Sequence, residues 1–419
     1  MRVLITTDAF PPICGGSGWS TYELARGLRA RGHQVSIVRP VPGRANGVQN
    51  TTYDDFQVVA LGAPAPDIPY VRNYFKNERL YSRLEPFLVE TISRDRIDVV
   101  HAQHVLTGVP SVRAAARTGI PSVCTVRDYW PVCYWSDLLH TSDEPVLCPE
   151  CTAVGMRQCI RPRAGSLWPL AVPMIPYMRR NLARKRSGLA EATAIVAVSS
   201  TMAADLRSRA PELAGSTIVT IPNPVNIADL RARAAAAPTG IDAPYALYVG
   251  KLAPNKGTSH LVHVLEQAGL DWPLVVAGDG PDRAALETSA RGSERKIRFL
   301  GWQDQNRIAA LLAHASMLIF PSRGPESLSR VLIEASALGV PIAAMNTGGT
   351  ADIIVHDETG LLSRTPQELA RHVRQLRDDS ALRRRLGEAA KKRAEALFDA
   401  AAVVARVEAL YRQIAGLAA

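Results

Sequence analysis

Short apolar, β-branched runs alternate along the chain with stretches whose apolar residues recur every three or four positions. That is the pattern of parallel strands joined by crossover helices. In the first half, residues 3–7, 35–39, 98–101, 121–126 and 194–198 are expected strands. A second series follows at 246–250, 274–278, 297–300, 317–320 and 341–344, each run ending in a turn signal before a helical stretch. Between the series lies Ile221-Pro222-Asn223-Pro224. Its two prolines disfavour helix and stiffen the chain, so a linker is expected near 222–242. The pattern predicts an α/β protein of two doubly wound domains, residues 1–222 and 223–399, followed by a terminal helical segment. In such sheets ligands bind beyond the carboxyl ends of the strands, and the loops there are where chemistry is to be sought.

Composition agrees with two cores, since 419 residues at 47% hydrophobic content exceed the usual size of one. No apolar run reaches 18 residues, and the first strand is too early and too short for a signal peptide, so a cytoplasmic location is expected. Of the net charge of +10, residues 1–222 carry +7. Such an excess suits phosphate-bearing ligands or an anionic membrane surface. No zinc-finger, basic-zipper or RNA-recognition signature supports nucleic acid as a partner.

The first loop, from Asp8 to Gly18, contains Gly15, Gly16 and Gly18 and leads into a helix expected at about Trp19. Glycines there let backbone approach a ligand, and amides at a helix start attract phosphate. After the strand ending at Gly250 come Lys251 and Lys256, two ammonium groups placed to clamp a diphosphate. Gly278-Asp279-Gly280-Pro281 is a tight turn without the third glycine of a dinucleotide fingerprint, and no Walker-type Gly-Lys-Ser/Thr occurs. Glu326 and Glu334 stand eight positions apart in Pro321-Ser-Arg-Gly-Pro-Glu326-Ser-Leu-Ser-Arg-Val-Leu-Ile-Glu334. A helix starting near Ser327 would put both on one side and direct the amides of Leu328, Ser329 and Arg330 toward an anion.

This segment resembles the E-x7-E signature of glycosyltransferase family 4, retaining enzymes of the GT-B fold. The likeness runs through Gly15-Gly16, the strand end at His101, the Ile221-Pro-Asn linker, Lys251 to Gly257, Gly278 to Pro281, Phe299-Leu-Gly301 and Gly348-Gly349. It implies two facing Rossmann-like domains with a cleft between them, the first for the acceptor and the second for a UDP-, GDP- or ADP-sugar. It further implies that Glu326 holds the transferred sugar, Glu334 the ribose, Lys251 and Lys256 the diphosphate, and backbone from Leu300 to Trp302 the base. Gly15, Gly16 and the 328–330 amides would complete the phosphate cradle, with Gly278 beside the donor. His104 is favoured for contact with the sugar, His101 being the competitor, and Asp128 is a candidate catalytic carboxylate. Transfer would retain configuration without a donor-bound metal, since no Asp-x-Asp triplet occurs. The last helix, about 400–419, is expected to return to the first domain. Family members more often carry Arg at Lys251, Gly-Phe-Gly at Ser327-Leu328-Ser329, and a histidine at Gln103.

Two further features stand outside that likeness. Cys133, Cys148, Cys151 and Cys159 fall in an expected insertion at about 127–165, and Cys148-Pro-Glu-Cys151 has zinc-knuckle spacing. A structural zinc site and unligated, redox-active thiols are both open readings. Residues 166–178 are apolar and precede Arg179, Arg180, Arg184, Lys185 and Arg186, a layout that fits either peripheral docking on an anionic membrane or a packed helix with a wet basic face. Membrane docking would suit a lipid-linked acceptor, whereas a free sugar or glycan needs none. Two rival functions remain: an inactive nucleotide-binding scaffold, and a sugar-nucleotide epimerase of the same architecture.

Overall fold

The computed structural model describes residues 1–43, 46–66, 71–140, 147–236, 238–242 and 244–417. The chain divides into two compact units. One comprises Met1–Ser136, Met174–Pro224 and Ala400–Ala419, the other Asp137–Pro173 and Val225–Asp399.

The sheet of the first unit is formed by β1 (Arg2–Thr6), β2 (Gln34–Pro42), β3 (Gly47–Tyr53), β4 (Phe56–Ala63), β5 (Val99–Ala102), β6 (Ser122–Val126), β7 (Ala194–Ala197) and β8 (Ile218–Thr220). Its order is β3-β4-β2-β1-β5-β6-β7-β8, parallel except for the β3–β4 pair. β3 is polar and largely exposed, which is why its sequence lacks the apolar signal of its neighbours. The central strands are buried on both faces and read as mostly apolar runs. Strand order reverses between β1 and β5, so the loops after Thr6 and Ala102 flank a topological switch point, the place where open α/β sheets bind ligands.

The second unit holds β9 (Ala246–Val249), β10 (Leu274–Ala277), β11 (Ile297–Gly301), β12 (Met317–Phe320), β13 (Ile342–Met345) and β14 (Leu361–Ser363), all parallel, in the order β11-β10-β9-β12-β13-β14. Here the reversal falls between β9 and β12, the strands followed by the lysine pair and by Glu326. Helix Pro366–Asp378 covers this sheet with Leu369, Ala370, Val373 and Leu376, one apolar stripe at helical spacing.

The final helix, Ala400–Ile414, belongs to the first unit and packs on helix Gly16–Ala30. Val403, Val404, Val407, Leu410 and Tyr411 form its buried stripe. Its polar anchors are Glu408, which accepts from Arg31, and Tyr411, whose hydroxyl lies 2.5 Å from His101 Nδ1. The other ring nitrogen, Nε2, is 2.7 Å from Thr125 Oγ1, so a neutral His101 can have both nitrogens satisfied. Burial pushes its pKa down to about 3, with Arg127 adding to the effect.

Because the unfolded histidine titrates near its ordinary 6.5, the unfolded chain takes up a proton as pH falls from there toward 3 while the folded chain does not. His101 therefore makes the first unit progressively less stable across that window and is neutral in effect above it. Tyr411→Phe, which removes one partner of a buried pair, is expected to cost about 1–3 kcal/mol in urea denaturation. Unaltered stability would show that the hydroxyl contributes nothing.

Candidate active site

In the second unit the loops after β9 and β12 interlock. Tyr248 donates its hydroxyl to Lys251 O at 2.9 Å, fixing the first turn. Asn255 O accepts from Arg323 N at 3.0 Å and Gly324 N at 2.7 Å, which ties the lysine loop to the glutamate loop. Gly257 permits this approach: at φ +68 it occupies the left-handed region, and a Cβ there would lie 1.9 Å from Pro321 O. The outcome is that Lys256 Nζ reaches Glu326 Oε1 at 2.6 Å, beside Ser322 Oγ at 2.5 Å from the same oxygen. Glu326 is buried, with a relative exposure of 8%. Such a carboxylate persists inside a protein only with a cation and a hydrogen-bond donor of this kind.

The loop after β13 supports Glu326 from behind. Gly349 N donates to Glu326 O at 2.6 Å, and Thr347 Oγ1 donates to Ser322 O at 3.3 Å. This arrangement corrects one expectation. The helix starts at Arg330, with Ser329 as its N-cap, rather than near Ser327. A helix starting at Ser327 would use the Glu326 carbonyl for Arg330 N, but Gly349 N takes that carbonyl. Leu328 and Ser329 thus precede the helix, and Glu334 sits little more than one turn inside it. Arg330 lends its guanidinium to Glu334, Nε to Oε1 at 2.7 Å, in a buried pair.

Lys251 is exposed in the turn that Tyr248 fixes. On the β11 side, Gly278 N donates to Gly301 O at 2.8 Å, joining the two turns, and Trp302 is 67% exposed. Gln303 Nε2 donates to Leu300 O at 2.8 Å and Trp302 O at 2.9 Å, so those carbonyls already have a partner. Ser322, Tyr248, Asn255 and Gln303 were not legible as site residues, because each acts through backbone turns whose geometry the sequence pattern does not reveal.

In the first unit, helix Gly16–Ala30 begins earlier than the expected Trp19, with Gly15 as N-cap. Gly18 N and Trp19 N turn back to Gly15 O, at 3.0 and 3.3 Å, which leaves the Gly16 and Ser17 amides at the helix mouth. Arg127 grips the same helix, its Nη1 donating to Ser17 O at 3.2 Å and Thr21 Oγ1 at 3.1 Å.

The two histidines part company here. His101 is wholly buried and occupied on both sides, as described. His104 ends the loop after β5, with Nδ1 2.9 Å from Thr7 Oγ1. Thr7 donates its hydroxyl proton to Ala9 O at 2.7 Å, and the Asp8 amide donates to the same His104 Nδ1 at 3.4 Å. The His104 Nε2 is buried and without a hydrogen-bond partner among the described residues. Burial pushes the His104 pKa down to about 3, which keeps the ring neutral.

Asp128 is half-buried. Its Oδ1 accepts from Trp130 N at 2.9 Å. Burial raises its pKa to about 6, against the pull of that amide and of Lys185. The Lys185 ammonium, itself buried and pushed down to about 8 by that burial, lies 5.8 Å from the centre of the Tyr134 ring. Asp128 thus belongs to a half-buried turn within the electrostatic reach of the Lys185 ammonium.

The expected zinc site is not formed. Among the described residues no group of three or more His, Cys, Asp or Glu side chains is gathered to hold a metal. Two of the thiols turn to backbone carbonyls, Cys148 Sγ to Glu150 O at 3.1 Å and Cys159 Sγ to Leu139 O at 3.7 Å. The apolar, proline-bearing stretch breaks into the short turns Gly165–Leu167, Trp168–Ala171 and Val172–Met174. Among the described residues no helix is long and apolar enough to cross a membrane.

Residues 14–229 match the family description "Glycosyltransferase Family 4", and residues 235–393 match "Glycosyl transferases group 1". Among curated proteins, the chain is 32% identical over 181 residues to the alpha-D-kanosaminyltransferase of Streptomyces kanamyceticus, covering 41% of this chain and 46% of that protein. It is 27% identical to the glycogen synthase of Mycobacterium tuberculosis, over 95% of this chain and 91% of that one. In structure it is similar to sucrose-phosphate synthase from Thermosynechococcus elongatus, with a TM-score of 0.70, 21% identity and 99% of each chain covered. That likeness, together with two parallel-sheet α/β units, gives the GT-B fold. The interlocked loops that join Lys256 to Glu326 are therefore those of a sugar transferase, and the chain belongs to glycosyltransferase family 4.

Proposed function

We propose that the protein transfers a sugar from a nucleoside diphosphate sugar to an acceptor hydroxyl with retention of configuration, without a metal on the donor. The observation that carries this reading is the Lys256–Glu326–Ser322 cluster at the switch point of the second sheet. Glu326 Oε1 is engaged by Lys256 and Ser322, leaving Oε2 to accept from the donor sugar's hydroxyls. Lys251 and Lys256 stabilise the charge that gathers on the diphosphate as the glycosidic bond breaks, a function otherwise given to a metal. Glu334, held by Arg330, takes the ribose hydroxyls. Trp302 and the Leu300 backbone border the base, Gly278 supports that edge, and the amides of Gly15, Gly16, Leu328, Ser329 and Arg330 face phosphate oxygens. His104, whose Nε2 has no partner among the described residues, hydrogen-bonds a hydroxyl of the transferred sugar. His101 is structural in this reading, and Asp128 shapes the acceptor side.

Thermal-shift measurements with UDP-, GDP- and ADP-glucose test the donor assignment. A donor at 100 times its Kd should add roughly 2.7 kcal/mol to the stability of the unit that binds it. Stabilisation by one base only identifies the donor, and the shift should survive EDTA. An inactive scaffold would show the shift without release of nucleoside diphosphate, and an epimerase would isomerise the donor without using an acceptor.

The acceptor is read as a glycan or a lipid-linked sugar. Leu167 and Leu170 are exposed, and Arg157 and Arg161 lie over the Trp168 ring, so apolar and cationic groups share one surface. That combination suits peripheral contact with the anionic cytoplasmic face of a membrane.

A further inference from the structure

Asp8 follows β1 at the switch point of the first sheet, across from the start of helix Val105–Thr118. Its two oxygens are treated differently. Oδ2 accepts from Leu106 N at 3.1 Å, whereas Oδ1 is buried with no hydrogen-bond partner among the described residues. Close by, the Asp8 amide donates to His104 Nδ1 at 3.4 Å, and His104 Nε2 is a second buried polar atom without a hydrogen-bond partner among the described residues. Two neighbouring residues thus each hold a buried polar atom that no described residue pairs. An unpaired buried carboxylate oxygen is costly, and a fold keeps such a group where a ligand supplies the missing hydrogen.

We infer that Asp8 positions the acceptor, its Oδ1 taking a hydrogen bond from the attacking hydroxyl next to the sugar that His104 contacts. This role rests on the transferase reading above. The hydroxyl is the one substrate group that must be aimed at the anomeric carbon with its hydrogen directed away from it, and a carboxylate oxygen fixes that orientation.

The charges around Asp8 make the role dependent on pH. Burial raises its pKa to about 7, helped by Asp128 and opposed by the Leu106 and Thr107 amides and by Lys76. Tyr81 and Cys124 also border it, both held neutral by burial, and His104 is neutral. The folded carboxyl therefore binds its proton more tightly than the unfolded one. Stability contributed by the protonated form is lost as pH rises from about 4 to 7, and above that the full cost of the ionised group is carried.

Asp8→Asn separates this role from that of a mere helix cap, since the amide oxygen can still accept from Leu106 N. Melting curves of the full chain at pH 5 and 8.5 are compared with nucleoside diphosphate release from UDP-, GDP- or ADP-glucose. Water, glucose and myo-inositol serve as acceptors. The variant should melt a few degrees higher than the wild type at pH 8.5, and by a smaller margin at pH 5, where only the first part of the loss has been incurred. Its turnover should fall roughly tenfold or more with donor KM unchanged, and the acid limb of the wild-type pH profile near 7 should vanish. A lower melting temperature at both pH values would make Asp8 a cap only, and unchanged turnover would equally overturn the inference. A wild type inert on every donor, and so indistinguishable from Glu326→Ala, would instead refute the transferase reading, and this role with it.

Discussion

Replacing Glu326 with alanine is expected to abolish sugar transfer, by a factor of 10³ or more, roughly, while nucleoside diphosphate binds within a fewfold of its wild-type affinity. The asymmetry follows from what the carboxylate touches. Its Oε1 is spent on Lys256 and Ser322, so its contribution to a ligand is confined to the sugar, and the diphosphate contacts belong to the lysines. Removing the carboxylate leaves the Lys256 ammonium without its partner, which if anything favours an anion there. Lys256 is about one-third exposed, so water screens it and the loss of the pair should cost little stability. Isothermal titration with the nucleoside diphosphate, beside a transfer assay, measures both halves. Glu326→Gln refines the result, because it keeps the shape and loses the charge. Transfer that persists in both variants would remove Glu326 from the mechanism.

Gly348→Ala is the second change from which a large effect is expected, although residue 348 has no assigned chemistry. Its φ of +52 is left-handed, and an added Cβ would stand 2.1 Å from the Glu326 carbonyl oxygen and 2.8 Å from its nitrogen. The neighbour is backbone, so it cannot rotate aside. Left-handed strain of about 1–2 kcal/mol adds to an overpacking cost of about 1–3 kcal/mol, lowering the melting temperature of the second unit by roughly 5–10 °C. The loop must retreat, the Gly349 N to Glu326 O bond opens, and Glu326 turns away from the sugar. Transfer should therefore fall by at least about 100-fold, a displacement effect of the size that small misplacements produce. A variant with wild-type melting and turnover would mean that this loop does not hold Glu326 in place.

The regular parts of both sheets could be read from sequence because buried parallel strands are nearly all apolar. The expected 274–278 and 317–320 runs match β10 and β12 to within a residue. β3 escaped because its exposed, polar strand has no apolar face to announce it, and β8 and β14 because three residues are too few for any period to show, whereas the apolar β4 was missed despite its pattern. The lysine pair and the two glutamates could be located from their spacing after strand ends. Their geometry could not, since it depends on long-range backbone pairing: Gly349 with Glu326, and Asn255 with Arg323 and Gly324. The same pairing moved the helix start from Ser327 to Arg330. The cysteines misled for the opposite reason. A C-x2-C spacing is local, but a tetrahedral site needs four thiols to converge, and carbonyls of the chain claim Cys148 and Cys159.

Asp8 shows what spacing leaves out altogether. Nothing near it in sequence marks it, and its interest comes from β5 lying beside β1, which brings residues 8 and 104 together. Only the sheet order reveals that neighbourhood.

The first unit draws on both ends of the polypeptide, with Tyr411 docking onto a strand that precedes it by 310 positions. On the ribosome this sets a sequence of events. The sheet that carries His101 is made early but must wait for nearly the whole chain to emerge before its last helix arrives, whereas the second unit has all of its residues by Asp399. Released chains truncated after Asp399 should thus hold a finished second unit and a first unit still open to proteases. A stop codon there would leave a product lacking the Tyr411 hydroxyl partner of His101, and with it the closure of the first core.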